Sequence, residues 1–308
     1  MCITFINLCK DVDRLEITLR KQHMKAVVTT KGGELIYLED EQGRNYIWNG
    51  DPAYWFGRNP LLFPIVGNLK DGKILMDGHE YHMNRHGFAR DQEFTVIQQG
   101  EDFVIMELVS NDETLHRYPR CFSLQVKHEL HHDGFTTSFK VTNKDHKSMP
   151  FCIGAHTAFH CPINEGESFE DYQIVFDQEE TAYPIRLNDE GLVQGPSSHL
   201  MLDHERIMTL DYDVFAKVDT VIFRNLKSTG VGLYHKENGQ GVHMSFEGFP
   251  MMAFWTKGKE KAPFICIEPW HGCAALEDET GLFEDKEACL ILESGKSKEL
   301  RYKVSIVL

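Results

Sequence analysis

Four stretches of the sequence set chemically competent side chains inside apolar surroundings. In APFICIEPWHG, residues 262–272, Glu268 closes the apolar run Phe264-Ile265-Cys266-Ile267 and precedes Pro269 and Trp270. A carboxylate at the end of a buried strand loses hydration. Its pKa then rises from about 4.3 toward neutrality, which makes it usable as a general base. Trp270 adds a flat apolar face of the kind on which ring C–H patches stack. In FCIGAHTAFHCP, residues 151–162, His156 follows the small pair Gly154 and Ala155. A buried imidazole needs partners for both nitrogens, and its pKa moves with its surroundings. A satisfied core histidine and a proton-transfer group both fit that position.

The other two stretches are less explicit. In NRHGFARDQEF, residues 84–94, His86 stands before Gly87, where the backbone can turn sharply, with Arg85, Arg90 and Asp91 close by. A surface loop with an Arg90–Asp91 pair fits equally well. In RNPLLFPIVGNLKDGK, residues 58–73, Pro60 and Pro64 exclude a regular central strand. Gly67 and Gly72 suggest special backbone angles or a close approach, and an apolar edge segment explains the rest. His160 lies four positions after His156, but a strand-and-loop pattern does not put the two rings on one face as a metal pair would need.

The elements that must position these groups read as strands. In Ser123–Leu130, Leu124, Val126, His128 and Leu130 alternate with polar residues. Phe135, Thr137, Phe139 and Val141 do the same, as do Leu300, Tyr302, Val304 and Ile306. Turn signals separate the runs, Asp77-Gly78 and Asn238-Gly239 among them. The best helix candidate, Asp112 to Tyr118, spans about two turns and stops before Pro119. With no linker, repeat or low-complexity tract, residues 1–308 read as a single all-β domain, a large antiparallel β-sandwich.

Composition narrows the function classes. A net charge of −15 supplies no basic stripe for nucleic acid and disfavours an anionic membrane surface. A neutral or cationic small ligand fits the overall charge better. The eight cysteines are scattered, with no C-x-x-C pair, and read as reduced thiols of a cytoplasmic protein. The opening MCITFINLC lacks basic residues and a small-residue cleavage site, so it does not read as a signal peptide. No apolar run approaches the roughly 20 residues that span a bilayer.

Taken in order, LLFPIVGNLKDGK, RHGFARDQEF, GAHTAFH and FICIEPWHG resemble the aldose 1-epimerase (galactose mutarotase) family, in its bacterial lactose-operon-associated branch. The likeness covers nearly the whole chain. It implies a mutarotase: an isomerase of carbohydrate metabolism that interconverts the α and β anomers of an aldose such as galactose or glucose. It implies a galactose mutarotase-like supersandwich, no metal or other cofactor, and a monomer or homodimer. By motif, the resemblance makes Glu268 the base and His156 the general acid. It places His86 near the sugar ring oxygen, Asp219 of VDTVIF as a sugar-binding carboxylate, and Trp270 or Trp255 as a stacking face. Family members often carry arginine where this chain has Asn68, and Arg58 or Lys70 are the substitutes the sequence offers. Thr157 stands where the family commonly has proline, and His160 where it often has asparagine. Three other readings stay open: a glycoside hydrolase with paired carboxylates, a non-catalytic sugar-binding protein, and a metal enzyme using His82, His86, His128, His131 and His132.

Overall fold

A computed structural model describes residues 15–308. Cys2, Cys9 and the MCITFINLC segment lie outside the described residues.

The alternating runs become neighbouring strands. Phe122–Leu130 pairs antiparallel with Gly134–Asn143, which pairs in turn with Ser297–Val307. Their registers put Val126 beside Phe139 and Phe139 beside Leu300, so the apolar alternates share one face. These strands are the centre of a nine-stranded antiparallel sheet running from Leu202–Thr209 to Thr95–Gln99. An eight-stranded antiparallel sheet covers it, built around Thr220–Arg224, Met251–Trp255 and Phe264–His271. Phe223 and Phe254 of the smaller sheet pack edge-to-face on Phe176 of the larger, at ring distances of 6.0 and 5.9 Å. The core therefore lies between the layers, and the opposite face of the eight-stranded sheet is left for function. A three-stranded sheet, Glu16–Lys21, Met24–Thr29 and Glu34–Glu39, completes the main architecture.

Asp77 and Gly78 both adopt left-handed backbone angles, φ 53° and 78°, between Lys73–Met76 and His79–His82. This is the turn that matches the twist of a two-residue hairpin. Asp77 also binds the buried Arg120 through both guanidinium nitrogens, at 2.8 and 3.1 Å.

The expected helix forms over Asp112–Arg117, with Asn111 and Thr114 making a reciprocal cap. A second helix, Tyr212–Val218, was not signalled. It is too short for periodicity to register, but Asp211 caps its start and Tyr212 and Phe215 bury one face. It delivers Asp219 to the functional face. Among the histidines grouped as a possible metal set, His128 is buried within the strand Phe122–Leu130. It points into the core, with its ring nitrogens 2.9 Å from Thr137 Oγ1 and the Gly33 carbonyl. His82 and His132 are exposed. No helix among the described residues is long and apolar enough to cross a membrane.

Candidate active site

Glu268 sits within the strand Phe264–His271 rather than at its end, and Pro269 follows it inside the same strand. Proline has no N–H to give the ladder, and the neighbouring chain breaks at that level. Ile153–Ala155 pairs with the strand on one side of the break and Thr157–His160 on the other. Both segments keep one register, Gly154 opposite Trp270 and Thr157 opposite Ile267. The unpaired residue between them, His156, therefore stands across from Glu268. The two groups are cross-strand neighbours, with His156 Nε2 3.3 Å from Glu268 Oε2. Small residues make room beside the large ones: Ala253 is paired with Glu268 and Gly154 with Trp270. Behind the break, Thr157 Oγ1 donates to Asn59 Oδ1 at 2.7 Å, and Asn59 Nδ2 donates to Tyr302 Oη at 3.2 Å. This buried network ties the site strand to the last strand of the opposite sheet.

His86 arrives from another direction. Its backbone N–H donates to the Gly67 carbonyl, and Gly67 N–H donates back to His86 Nδ1 at 3.1 Å. With Nδ1 accepting, the neutral ring carries its proton on Nε2, a donor free for a ligand. The next residue, Gly87, has φ 75°, and a Cβ there would lie 2.3 Å from the Phe63 carbonyl oxygen. Gly87→Ala combines a left-handed backbone with a clash against main chain. We expect it to cost about 3 kcal/mol or more in urea unfolding. An unchanged midpoint would contradict this account of the HGF turn.

These pieces form a cleft of about 120 Å³ lined by Trp55, His86, His156, Trp255, Glu268 and Trp270, with Arg85 and Arg90 also on its wall. The Trp55 ring lies 4.8 Å from His156 at a shallow tilt, and Trp255 meets His156 edge-on at 5.5 Å. The His86 and His156 rings are 5.7 Å apart.

The electrostatics follow from burial. Glu268 is 1% exposed, and desolvation pushes its carboxyl well above the ordinary range, against the opposing pull of Arg85. Burial lowers His156 to about 3, with Arg85 and Arg90 adding to the fall. His86 is lowered for the same reason, helped by His156 and both arginines. Burial thus favours a protonated carboxyl facing neutral imidazoles. Both Glu268 oxygens, His156 Nδ1 and Trp270 Nε1 are buried without a hydrogen-bonding partner in the protein. Each such atom costs about 1–3 kcal/mol. A ligand rich in hydroxyls would relieve that cost.

The residue pattern that set this cleft apart extends along the whole chain. A family model described as aldose 1-epimerase matches residues 16–282. The chain belongs to the aldose 1-epimerase family. It is 34% identical to the plasmid-encoded protein LacX of Lactococcus lactis subsp. lactis over 301 residues, covering 95% of this chain and 100% of that protein. Among solved structures it resembles a galactose mutarotase related enzyme from Lactobacillus acidophilus, with a TM-score of 0.90 and 28% identity. That match covers 96% of this chain and 98% of the other. A galactose mutarotase-like protein from Lactobacillus casei gives a TM-score of 0.87 at 27% identity, covering 95% and 100%. Family and fold together support a general epimerase or mutarotase role.

Within this family member, the sequence-derived candidates divide clearly. Glu268, His156, His86, Trp270 and Trp255 meet in one cleft. Asp219 stands at its rim, where its two carboxylate oxygens accept from Trp255 Nε1 at 3.3 Å and Thr220 Oγ1 at 3.0 Å. Asn68 does not enter the cleft. It donates to the Glu190 carbonyl at 2.7 Å and lines an adjoining groove with Asp189, Lys217 and Asp219. Arg58 is not brought to the site either: its Nε donates to the Asn49 carbonyl, and it lines a separate groove with Tyr37 and Lys25. Lys70 is held by the Glu277 carbonyl. The cations on the cleft wall are Arg85 and Arg90, read from sequence only as neighbours of His86. Trp55 was missed as well. Its signal was the aromatic cluster in YIWNGDPAYWF, but nothing in that pattern places the ring over His156.

Cys266 lies on the same face as Glu268, two residues back. Its sulfur, His156 and Glu268 offer ligand atoms within 4.8 Å of one another, the one such group among the described residues. Burial holds the Cys266 thiol well above its ordinary pKa. A cation there would have to displace protons from both thiol and carboxyl in a site that burial keeps neutral.

Proposed function

We propose that the protein is a mutarotase that opens and recloses the pyranose ring of an aldose, with Glu268 and His156 as the proton-transfer pair. The observation that carries this reading is the 3.3 Å contact between His156 Nε2 and Glu268 Oε2 in a cleft that leaves both groups short of protein partners.

The chemistry needs one proton taken from the C1 hydroxyl and one given to the ring oxygen. The pair holds one mobile proton. In the neutral form it sits on Glu268. Shifting it across the contact to His156 gives a carboxylate and an imidazolium with no change in net charge. That ion pair matches the cyclic sugar. Glu268 removes the C1 hydroxyl proton, His156 protonates the ring oxygen, the C1–O5 bond breaks, and C1 becomes an aldehyde. The pair is then neutral again, with the proton on Glu268. Rotation about C1–C2 presents the other carbonyl face. The same steps in reverse close the opposite anomer and regenerate the ion pair. Hydroxyl donors from the sugar and the Arg85 charge favour the carboxylate at the moment it is needed.

His86 supplies an Nε2–H for the ring-oxygen side, and Trp270 and Trp255 offer faces for the ring. Asp219 accepts from sugar hydroxyls at the rim. The six cysteines among the described residues are free thiols, which supports the cytoplasm as the place of action. The test is polarimetry of freshly dissolved α-glucose and α-galactose with the purified protein. Rotation should reach equilibrium far faster than without it, in proportion to protein concentration. Saturable sugar binding with no such acceleration would make the cleft a sugar-binding site only.

A further inference from the structure

Cys266 has no part in the proton transfer, yet it stands two residues before Glu268 on the strand Phe264–His271. Side chains two apart on a strand share a face, so its thiol lies on the side of the catalytic carboxyl. Its register partners are Ala158 on one neighbouring strand and Trp255 on the other. The residue is fully buried, and a packing role alone would account for that. Its company points further. Thiolate, imidazole and carboxylate are the ligand types of zinc sites, which hold the ion at about 2.0–2.3 Å in a tetrahedron. Ligand atoms in such a tetrahedron stand about 3.3–3.5 Å from one another. His156 Nε2 and Glu268 Oε2, at 3.3 Å, already have that spacing. With all three ligand atoms inside 4.8 Å, the Cys266 sulfur has about 1 Å to close. The site is also short of other partners: both Glu268 oxygens and His156 Nδ1 are buried without a hydrogen bond.

We propose that Cys266, His156 and Glu268 form a binding site for a divalent cation of the zinc class, and that its occupation switches the catalytic pair off. His156 and Glu268 line the cleft, so the ion enters from there. Three protein ligands leave a fourth position for water. Binding balances charge. The doubly charged ion enters, the Cys266 thiol and the Glu268 carboxyl each release a proton to solvent, and the net charge of the buried site is unchanged. Arg85 and Arg90 on the wall therefore meet no added positive charge. Magnesium finds no match here, because it demands oxygen ligands in an octahedron. The inhibitory half of the proposal rests on the mutarotase reading. A metal that holds both members of the pair stops Glu268 from taking the C1 hydroxyl proton and stops His156 from carrying the mobile one.

Anomer exchange by the full chain, stripped of metal with EDTA, tests the proposal. Saturating zinc chloride should slow exchange by about tenfold or more, and EDTA should restore it. Magnesium chloride should change nothing. Cys266→Ala should keep exchange and lose the zinc sensitivity. Its zinc affinity in calorimetric titration should fall by about a hundredfold, at the top of the range that a lost outer-shell partner costs. Cys266→Ser keeps the size of the side chain and replaces the alanine variant if that fails to fold. Cobalt(II) in place of zinc should give the parent a sulfur-to-metal absorption band that both variants lack. Zinc that leaves exchange unchanged, or inhibits parent and Cys266→Ala alike, would overturn the proposal. Exchange of no aldose by the metal-free protein would overturn the mutarotase reading instead. Calorimetry and the cobalt spectrum then decide the metal site alone: binding that depends on Cys266 upholds it, and binding indifferent to Cys266, or none, ends it.

Discussion

Glu268→Gln is expected to slow enzyme-catalysed anomer exchange by about a thousandfold, toward the spontaneous rate, with little change in KM. The amide keeps the shape and hydrogen-bonding reach of the carboxyl but cannot take the C1 hydroxyl proton. General-base catalysis of this kind contributes roughly a hundred- to ten-thousandfold. The fold should survive, and its stability at neutral pH should rise. The reason is the sign of the shift. Burial raises the Glu268 pKa in the folded protein, so folding favours the protonated form. Its contribution to stability is therefore greatest below the ordinary carboxylate value and falls as pH rises toward the folded pKa. Glutamine carries no such penalty. Polarimetry and urea unfolding at pH 7.5 measure the two effects side by side. A variant exchanging anomers within tenfold of the parent would remove Glu268 from the mechanism, whatever its stability.

The second large effect is a loss of stability in mild acid. His128 is held at about 4 and His156 at about 3, both chiefly by burial, and His86 is lowered as well. The unfolded chain binds protons on these residues from about pH 6.5 downward, while the folded protein does not. Their stabilising contribution is complete above pH 6.5 and is lost as pH falls toward 3 or 4. Each fully shifted group costs about 1.4 kcal/mol per pH unit within that window. The two groups held at about 4 and 3 imply a loss of roughly 3 kcal/mol between pH 6.5 and 5, and His86 adds to it in the same direction. Glu268 offsets part of this, since its folded form binds a proton more readily than the unfolded chain does over the same range. Glu268→Gln should thus make the acid slope steeper, and His128→Gln shallower. Urea midpoints measured from pH 7.5 to 5 report these slopes, and a flat profile for the parent would refute the buried neutral histidines.

The sheets were legible because one face of most strands is buried and the other wet, so residues such as Phe135, Phe139 and Val141 print a two-residue period. Helix Tyr212–Val218 was not, because two turns with a single capping aspartate leave too little pattern. At the site, residue types in apolar runs pointed to Glu268, His156, His86 and Trp270. What the types did not convey was register. Glu268 read as the end of a strand and His156 as part of a loop, whereas a proline inside one strand coincides with a one-residue break in its neighbour and sets the two face to face. Arg58 illustrates the opposite limit: its charge fitted the role, but its chain position puts it beyond the cleft wall. Arg85 lies outside the Asn68 segment, the stretch in which the motif pattern points to a cation. The cation came from a loop that only folding brings alongside.

All four tryptophans of the chain gather around this one cleft. Trp55, Trp255 and Trp270 line it, and Trp48 stands behind, its Nε1 donating to the Trp55 carbonyl at 2.8 Å. The protein therefore has no remote indole to dilute an optical signal. Its ultraviolet emission originates almost entirely at the place where a sugar would settle, and the imidazole against Trp55 is a natural quencher when charged. Occupancy and the protonation of His156 should both be readable from the unlabelled protein in a fluorimeter.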